Sequence, residues 1–211
     1  MENVVNGSSS ENQNLNGKVG VFHMSNWDLS KKVNSFYIEE VLSNVSQILI
    51  VPVGSLNFER TVAFGNGNSP FPKGLHEGIP NEILENVSGN INTNDDRFYG
   101  CKNRKTNRNE KCYLKLTKDT LIVFQSKGKV VGLANIRDKF VSETLAEWAW
   151  DDGEYKFIYT LENYVSTDLP IIDLTASIYS KGSVVQNMRR IWKKEQVTKV
   201  LEYLSRNLNG K

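Results

Sequence analysis

The chain has 211 residues, of which 39% are hydrophobic and 10% aromatic, and its formal net charge at pH 7 is +2. This length and composition predict one well-filled globular domain, alone or with appendages. The longest apolar run, residues 48–53, is too short to cross a bilayer and contains Pro52, so a membrane protein is not expected. Because the net charge is near zero, affinity for nucleic acid would require local clusters of lysine and arginine.

The N-terminal region has little to bury. Residues 1–17 are rich in Asn, Ser and Gly, which predicts a disordered tail. These residues lack the basic and apolar regions of a signal peptide, so we expect a cytoplasmic protein. Residues 18–45 are predicted as an N-terminal extension, with a short strand over 18–24 and a helix over 33–45.

The main domain is predicted to occupy residues 46–211. It begins with a buried strand over residues 47–53. Residues 64–96 are crowded with Gly, Asn and Pro and hold one predicted helix, over 80–87. We treat 64–96 as an insertion, since so long an irregular stretch inside a compact domain is usually functional or mobile.

A β-hairpin is predicted in the middle of the chain. Two apolar runs, residues 121–124 and 130–134, are joined by a polar loop in which Gly128 suits a positive φ. Neither run alternates strictly, so both strands are expected to be covered on both faces, as in a small barrel or a helix-packed sheet. Gly132, inside the second run, indicates a bulge or a close approach to the backbone.

The C-terminal third is predicted to contain four further segments. They are a connection over 140–150 with two tryptophans, a strand over 155–161, a short strand over 169–174, and an amphipathic helix over 194–208.

Few residues suggest catalysis or metal binding. No P-loop, GxGxxG or HExxH motif occurs, and His23 and His76 are the only histidines. Cys101 and Cys112 have no ligand-spaced neighbours, and two free thiols are expected in a reducing cytosol. We therefore expect no catalytic residues, metal or cofactor.

Two basic clusters suggest a nucleic-acid partner. The first is a loop in which cations alternate with Asn and Thr: Lys102, Arg104, Lys105, Arg108 and Lys111. Cations bind phosphates, and Asn and Thr hydrogen-bond to sugar, phosphate or base edges. The second contains Arg189, Arg190, Lys193 and Lys194. The alternative for the first cluster is an ordinary solvated loop.

Three aromatic residues are candidates for contact with a base. Tryptophan is rarely left exposed, so Trp148 and Trp150 are expected either to be packed or to form a binding surface. With Tyr99 they would stack on an extruded base at ~1–3 kcal/mol per base, which is comparable to the few kcal/mol that flipping costs. The alternative is that the tryptophans plug the end of a barrel.

Four segments occur in an informative order. They read ILIVPVGSLNFERTV, RFYGC, DTLIVFQSKGKVVGLANI, and EWAWDDGEYKFIYTL followed by DLPIIDL and SVVQNMRRIWKKEQVTKVLEYL. In this order they resemble the EVE and YTH branches of the PUA-like superfamily, small barrels that read modified bases in DNA or RNA. The resemblance covers about residues 48–208 and implies an α/β (α+β) fold, a PUA-like mixed β-barrel flanked by helices.

The resemblance also implies a set of site residues. Tyr99, Trp148 and Trp150 would form an aromatic cage around a flipped base. The remaining contacts would be to the base edge from Asn57, Ser55 and the backbone of Gly100, and to phosphate from Arg189, with Arg190 as the alternative. The first basic cluster adds Lys102, Arg104, Lys105 and Arg108 as candidates for phosphate binding.

The function implied is a non-enzymatic reader of a methylated adenine or cytosine, in DNA first and in RNA second. Similar domains often serve as specificity modules of modification-dependent restriction systems, so a nuclease or a nucleotide-driven motor is an expected partner. Two alternatives remain open. A small enzyme acting on nucleosides or nucleotides would need carboxylates or lysines clustered inside the pocket. A protein-interaction module would use residues 64–96 or exposed aromatic side chains.

Overall fold

The computed structural model describes residues 38–64, 78–92, 96–102 and 107–208. The predicted tail, most of the N-terminal extension and the central part of the insertion lie outside these residues, as do Arg104 and Lys105. Residues 38–42 are helical, in agreement with the helix predicted over 33–45.

Six strands form one mixed sheet. They are β1 (Gln47–Pro52), β2 (Arg97–Cys101), β3 (Thr120–Ser126), β4 (Lys129–Val141), β5 (Phe157–Pro170) and β6 (Arg189–Ile191). Their order across the sheet is β2-β5-β4-β3-β1-β6. β1 and β3 are parallel, and the other neighbouring strands are antiparallel.

Besides the helical residues 38–42, six helices pack around the sheet within the described residues. They are α1 (Ser55–Thr61), α2 (Asn81–Val87), α3 (Arg108–Leu114), α4 (Glu143–Trp150), α5 (Ile171–Ala176) and α6 (Lys194–Leu208), and a short 3-10 turn spans Gly153–Tyr155. The C-terminal helix is confirmed at its predicted bounds. Its apolar stripe is buried through Val197, Val200 and Leu204.

Both faces of the central strands are covered, as predicted. Ile48 and Ile50 of β1 belong to the same core as Val200 of α6, whereas the intervening Leu49 belongs to a second core with Phe58 of α1. β3 divides its side chains between the same two cores. Because side chains alternate along a strand, apolar residues at every position require a layer on each side.

The hairpin of β3 and β4 is confirmed in its details. Its turn consists of Lys127 and Gly128, both with positive φ, of 47° and 79°, the geometry of a two-residue hairpin turn. Phe124 pairs with Gly132 and Gln125 with Val130, so one residue of β4 is left over as a bulge. A Cβ atom on Gly132 would lie 2.7 Å from the ring of Tyr164, so Gly132 is also a position of close packing.

The predicted mixed α/β class is confirmed, but the sheet does not close into the predicted small barrel. β2 and β6 are the two edges of the sheet and do not pair with each other. β6 is only three residues long and pairs with residues 48–50 of β1, so the end of β1 extends beyond it. An open seam therefore remains between the end of β1 and β2.

Two further segments differ from prediction. The connection predicted over 140–150 is wrong, because β4 runs to Val141 and α4 follows, with the Ser142 hydroxyl accepting a hydrogen bond of 3.2 Å from the amide of Leu145. The strand predicted over 169–174 is also wrong beyond its first residues, because β5 ends at Pro170 and α5 follows at once.

Candidate functional site

A cavity of about 410 Å³ lies at the open seam of the sheet. Its walls include Val51 and Pro52 at the end of β1, residues 99–101 of β2, and residues 186–188, which precede β6. We call it the seam cavity. Because β2 is an edge strand, alternate backbone N–H and C=O groups along it point away from β5 and can hydrogen-bond to a ligand.

Four of the predicted site residues line the seam cavity: Asn57, Tyr99, Gly100 and Lys102. α1 carries Asn57, and its main-chain carbonyl accepts a hydrogen bond from the Thr61 hydroxyl in the next turn. α1 and β2 are separated in sequence by the whole insertion, so the fold brings these residues together. These four predicted site residues therefore lie together in the structure.

Tyr99 forms the floor of the seam cavity. Its ring centroid lies 5.7 Å from that of Phe124, 5.8 Å from that of Trp150 and 6.4 Å from that of Tyr159. The residue is only 5% exposed. Burial raises the pKa of the Tyr99 phenol well above its ordinary value, with smaller contributions from Tyr155 and Cys101, so the hydroxyl stays protonated at physiological pH.

The structure does not bring Trp148 and Trp150 to the lining of the seam cavity. Trp150 is 6% exposed and packs against Phe98 and Tyr155, with ring centroids 5.5 and 5.7 Å away. Trp148 is half-buried against the same core. The two tryptophans lie on α4, where side chains two positions apart point in different directions and cannot face one another. Of the three predicted cage residues, Tyr99 lines the cavity.

Trp150 packs directly behind the wall of the seam cavity, against Gly100. A Cβ atom on Gly100 would lie 2.4 Å from the main-chain oxygen of Tyr155 and 2.6 Å from the indole of Trp150. Only glycine permits so close an approach of α4 and the 3-10 turn to β2. Trp150 therefore supports the wall of the cavity from behind, and its buried indole N–H has no hydrogen-bond partner among the described residues.

The rim of the seam cavity carries a positioned cation. The Lys102 ammonium lies 2.6 Å from a carboxylate oxygen of Asp152 and 4.9 Å from the ring centroid of Tyr155. The hydrogen bond between the two side chains lowers the pKa of Asp152 and raises the pKa of Lys102. The side-chain amide of Asn109 donates to the main-chain oxygen of Lys102 at 2.8 Å, which fixes the strand end.

Several lining residues were not predicted from the sequence, and Tyr155 and Asn187 are two of them. Tyr155 and Asn187 come from a short turn and from the segment before β6. The aromatic character of Tyr155 was visible in the sequence, but its place at the cavity depends on the turn that follows α4. No local pattern marks Asn187 as a site residue.

No carboxylate or imidazole is found among the described residues that line the seam cavity. Its one thiol belongs to Cys101, and burial, followed by the nearby Cys112, raises the pKa of this thiol to about 12. Cys101 is therefore protonated at physiological pH and is a poor nucleophile. The sulfurs of Cys101 and Cys112 are not bonded to each other.

A second cavity, of about 480 Å³, adjoins the first and is strongly basic. Its cations are Arg108, Lys111, Lys115, Arg189 and Arg190, and no carboxylate is among its described lining residues. We call it the basic groove. Met188 lines both cavities, so the two are adjacent. Three of the predicted phosphate-binding residues, Arg108, Arg189 and Arg190, are thus gathered beside the seam cavity.

Arg189 is held in the groove by an aromatic ring. Its guanidinium carbon lies 4.1 Å from the ring centroid of Tyr179, a cation–π contact. The side chain of Ser55, predicted to contact the base edge, lies outside the described residues, although its backbone begins α1.

No group of three His, Cys, Asp or Glu side chains in the described part of the chain could hold a metal ion. No helix there is long and apolar enough to cross a membrane.

Comparisons with known proteins gave few matches. No family model matches the chain, and no curated protein matches it in sequence. Among solved structures it is similar to the YTH domain of Pho92, crystallised in complex with m6A. The identity is 12% and the TM-score 0.44, over 77% of this chain and 87% of that chain.

Proposed function

We propose that this protein binds nucleic acid that carries a modified base, and that it holds the extruded base in the seam cavity. One observation carries the proposal. A cavity with aromatic, amide and edge-strand backbone groups shares Met188 with an adjacent groove that has five cations and no carboxylate among its described lining residues. The groove suits a phosphate backbone, and the cavity suits a base that has left its stack.

The seam cavity has the features that a base requires. Its volume of about 410 Å³ falls in the range typical of small-ligand pockets. Leu56, Tyr155 and Met188 supply apolar surface, and the Asn57 amide and the free edge of β2 supply donors and acceptors for the base edge. A methyl group that fits an apolar wall contributes ~1–3 kcal/mol, or about 10- to 200-fold in selectivity.

Binding without chemistry is the role that the lining favours. Acid–base or nucleophilic catalysis requires a carboxylate, an imidazole or an activated thiol within reach of the substrate. The described lining offers instead a protonated thiol, and a lysine that is paired with Asp152. The alternative of an enzyme acting on nucleosides called for carboxylates or lysines clustered inside the pocket, so it is the weaker candidate.

The finer parts of the proposal concern the partner. We propose DNA with methylated adenine or cytosine as the first ligand and methylated RNA as the second. A reader of this kind would act in the cytoplasm as the specificity module of a modification-dependent restriction system. These 211 residues contain no P-loop or nuclease motif, and we propose a nuclease or a nucleotide-driven motor as the partner.

Equilibrium binding of matched oligonucleotides tests the proposal. Strands with and without N6-methyladenine or a methylated cytosine, as DNA and as RNA, are compared by fluorescence anisotropy at one stated salt concentration. We expect one modified strand to bind about 10- to 200-fold more tightly than its unmodified twin. Equal affinity for every pair, or no binding to any strand, would refute the reader function.

Replacing Asn57 with alanine in the same binding experiment tests whether its side chain contacts the base. Loss of one neutral hydrogen-bonding group to the base edge is expected to weaken binding of the preferred modified strand about five- to tenfold. Asn86→Ala is the matched control, because Asn86 is exposed on α2, where its side-chain amide donates a hydrogen bond to the carbonyl of Glu82 in the same helix. If the two variants bind alike, Asn57 does not contact the base.

A further inference from the structure

The basic groove contains an exposed tryptophan that the proposed function leaves unused. Trp192 directly follows β6 and is 60% exposed. It lines the groove together with Arg190 and Lys111. Water-exposed indole surface of this size is unfavourable in a free protein, and it is typical of a surface that meets a partner.

A cation is already stacked on this indole. The guanidinium carbon of Arg190 lies 5.0 Å from the ring centroid of Trp192, which is within the range of a cation–π contact. This contact restrains the indole while leaving most of it exposed. An aromatic plane of restrained orientation beside unshielded positive charge is the arrangement by which proteins bind single-stranded nucleic acid, with bases on the rings and phosphates on the cations.

The charges of the groove favour a polyanion. Its described lining contains five cations and no carboxylate, and the ion pairs of the described residues involve other side chains. The carboxylates of an acidic peptide would pair with the cations but would not stack on the exposed indole. A nucleotide satisfies both, because each one brings a phosphate together with a flat base.

The position of the groove identifies which nucleotide it would take. Met188 forms part of both cavities, so the groove is adjacent to the place where the modified base would be held. We propose that Trp192 stacks on the base next to the extruded one, and that Arg189 and Arg190 hold the phosphates of that step. This inference rests on the proposed function and adds a second, single-stranded subsite to it.

The test combines protein variants with a ligand that lacks the neighbouring base. The preferred modified strand is prepared with an abasic sugar on the 5′ side or the 3′ side of the modified base. For the wild type we expect one of these two changes to weaken binding about five- to 100-fold, the range of base–aromatic stacking. Trp192→Ala should weaken binding of the intact strand by a similar factor and should be insensitive to the abasic change.

Two further variants complete the design. Trp192→Phe keeps a stacking plane and is expected to retain most of the affinity. Ile172→Ala is the control, because Ile172 is 51% exposed on α5 and lies outside the described lining of both cavities. The ratio of affinities for modified and unmodified strands should be unchanged in Trp192→Ala. The inference is overturned if Trp192→Ala binds as wild type does, or if it remains fully sensitive to the abasic neighbour.

Tryptophan fluorescence separates the stacking proposal from the reader function, because it does not depend on a preference for the modified base. Stacking on a base quenches tryptophan fluorescence, so an unmodified single strand should quench the wild type more than Trp192→Phe. If the wild type fails to prefer any modified strand but shows this difference, the reader function fails and the stacking subsite stands. If the strand quenches both proteins equally, Trp192 does not stack on a base. An acidic peptide that then quenched the wild type but not Trp192→Phe would identify a protein partner instead.

Discussion

Replacing Gly100 with alanine is expected to destabilise the protein by about 3 kcal/mol, near the upper end of the range for overpacking a core. The added methyl would lie 2.4 Å from the main-chain oxygen of Tyr155 and 2.6 Å from the indole of Trp150. Neither group can yield easily, because one is backbone and the other is packed among Phe98 and Tyr99. The strand or the turn must therefore move, and the wall of the seam cavity moves with it.

Denaturant unfolding measures the expected loss, and Gly89→Ala serves as the control. A Cβ atom on Gly89 would meet no atom within 4 Å, so this variant should differ from wild type by less than about 1 kcal/mol. Binding of the modified strand by the Gly100→Ala protein, measured where it is still folded, should be weakened far more than binding of its unmodified twin. Equal stability of the two variants would show that the close packing against β2 is not present in solution.

Replacing Arg189 and Arg190 together with glutamine is expected to weaken binding of all strands about 10- to 30-fold at physiological salt. Each arginine that contacts a phosphate releases counterions, so the slope of log K against log salt should decrease by about 1.4 for single strands and about 1.8 for duplexes. The preference for the modified base should persist, because phosphate contacts carry no information about the base.

The matched control for this variant is Lys199→Gln. Lys199 lies on α6, where it pairs with Glu195 one turn away at 2.6 Å, and it is not among the lining residues of the basic groove. Its removal should leave both the affinity and the salt slope unchanged. If Arg189 and Arg190 can be removed with no change in slope, the backbone does not follow the basic groove.

The sequence was sufficient to predict those elements whose structure depends on neighbouring residues alone. The hairpin was predicted because Gly128 suits a positive φ and its flanking runs are β-branched, and both features appear in the structure. The C-terminal helix was predicted because its apolar residues recur at helical spacing on one buried face. In both cases the chemistry of neighbouring residues is enough.

The prediction was incomplete where tertiary structure decides. The tryptophan pair was expected in a connection, yet residues 143–150 form a helix whose start is marked only by the cap at Ser142. Helical geometry then separates Trp148 from Trp150 and turns the latter into the core. Closure of a barrel likewise depends on the length of β6, which no local pattern specifies.

The candidate site shows the same division. Asn57, Tyr99 and Gly100 were selected from the order of the sequence segments and Lys102 from a cluster of cations, and all four line one cavity. Tyr155 reaches that cavity only because the turn after α4 folds back against β2. Part of the cavity lining could therefore be predicted from the sequence. The rest, such as Tyr155, depends on tertiary structure.

The most direct test of the account is a chemical-shift titration of the protein with a short strand carrying the modified base. The account predicts that the backbone amides of Gly100 and Cys101 and the side-chain amide of Asn57 shift with the modified strand and remain unchanged with its unmodified twin. Residues of the basic groove should shift with both strands. Shifts confined to the basic groove, and identical for the two strands, would contradict the claim that the seam cavity holds a modified base.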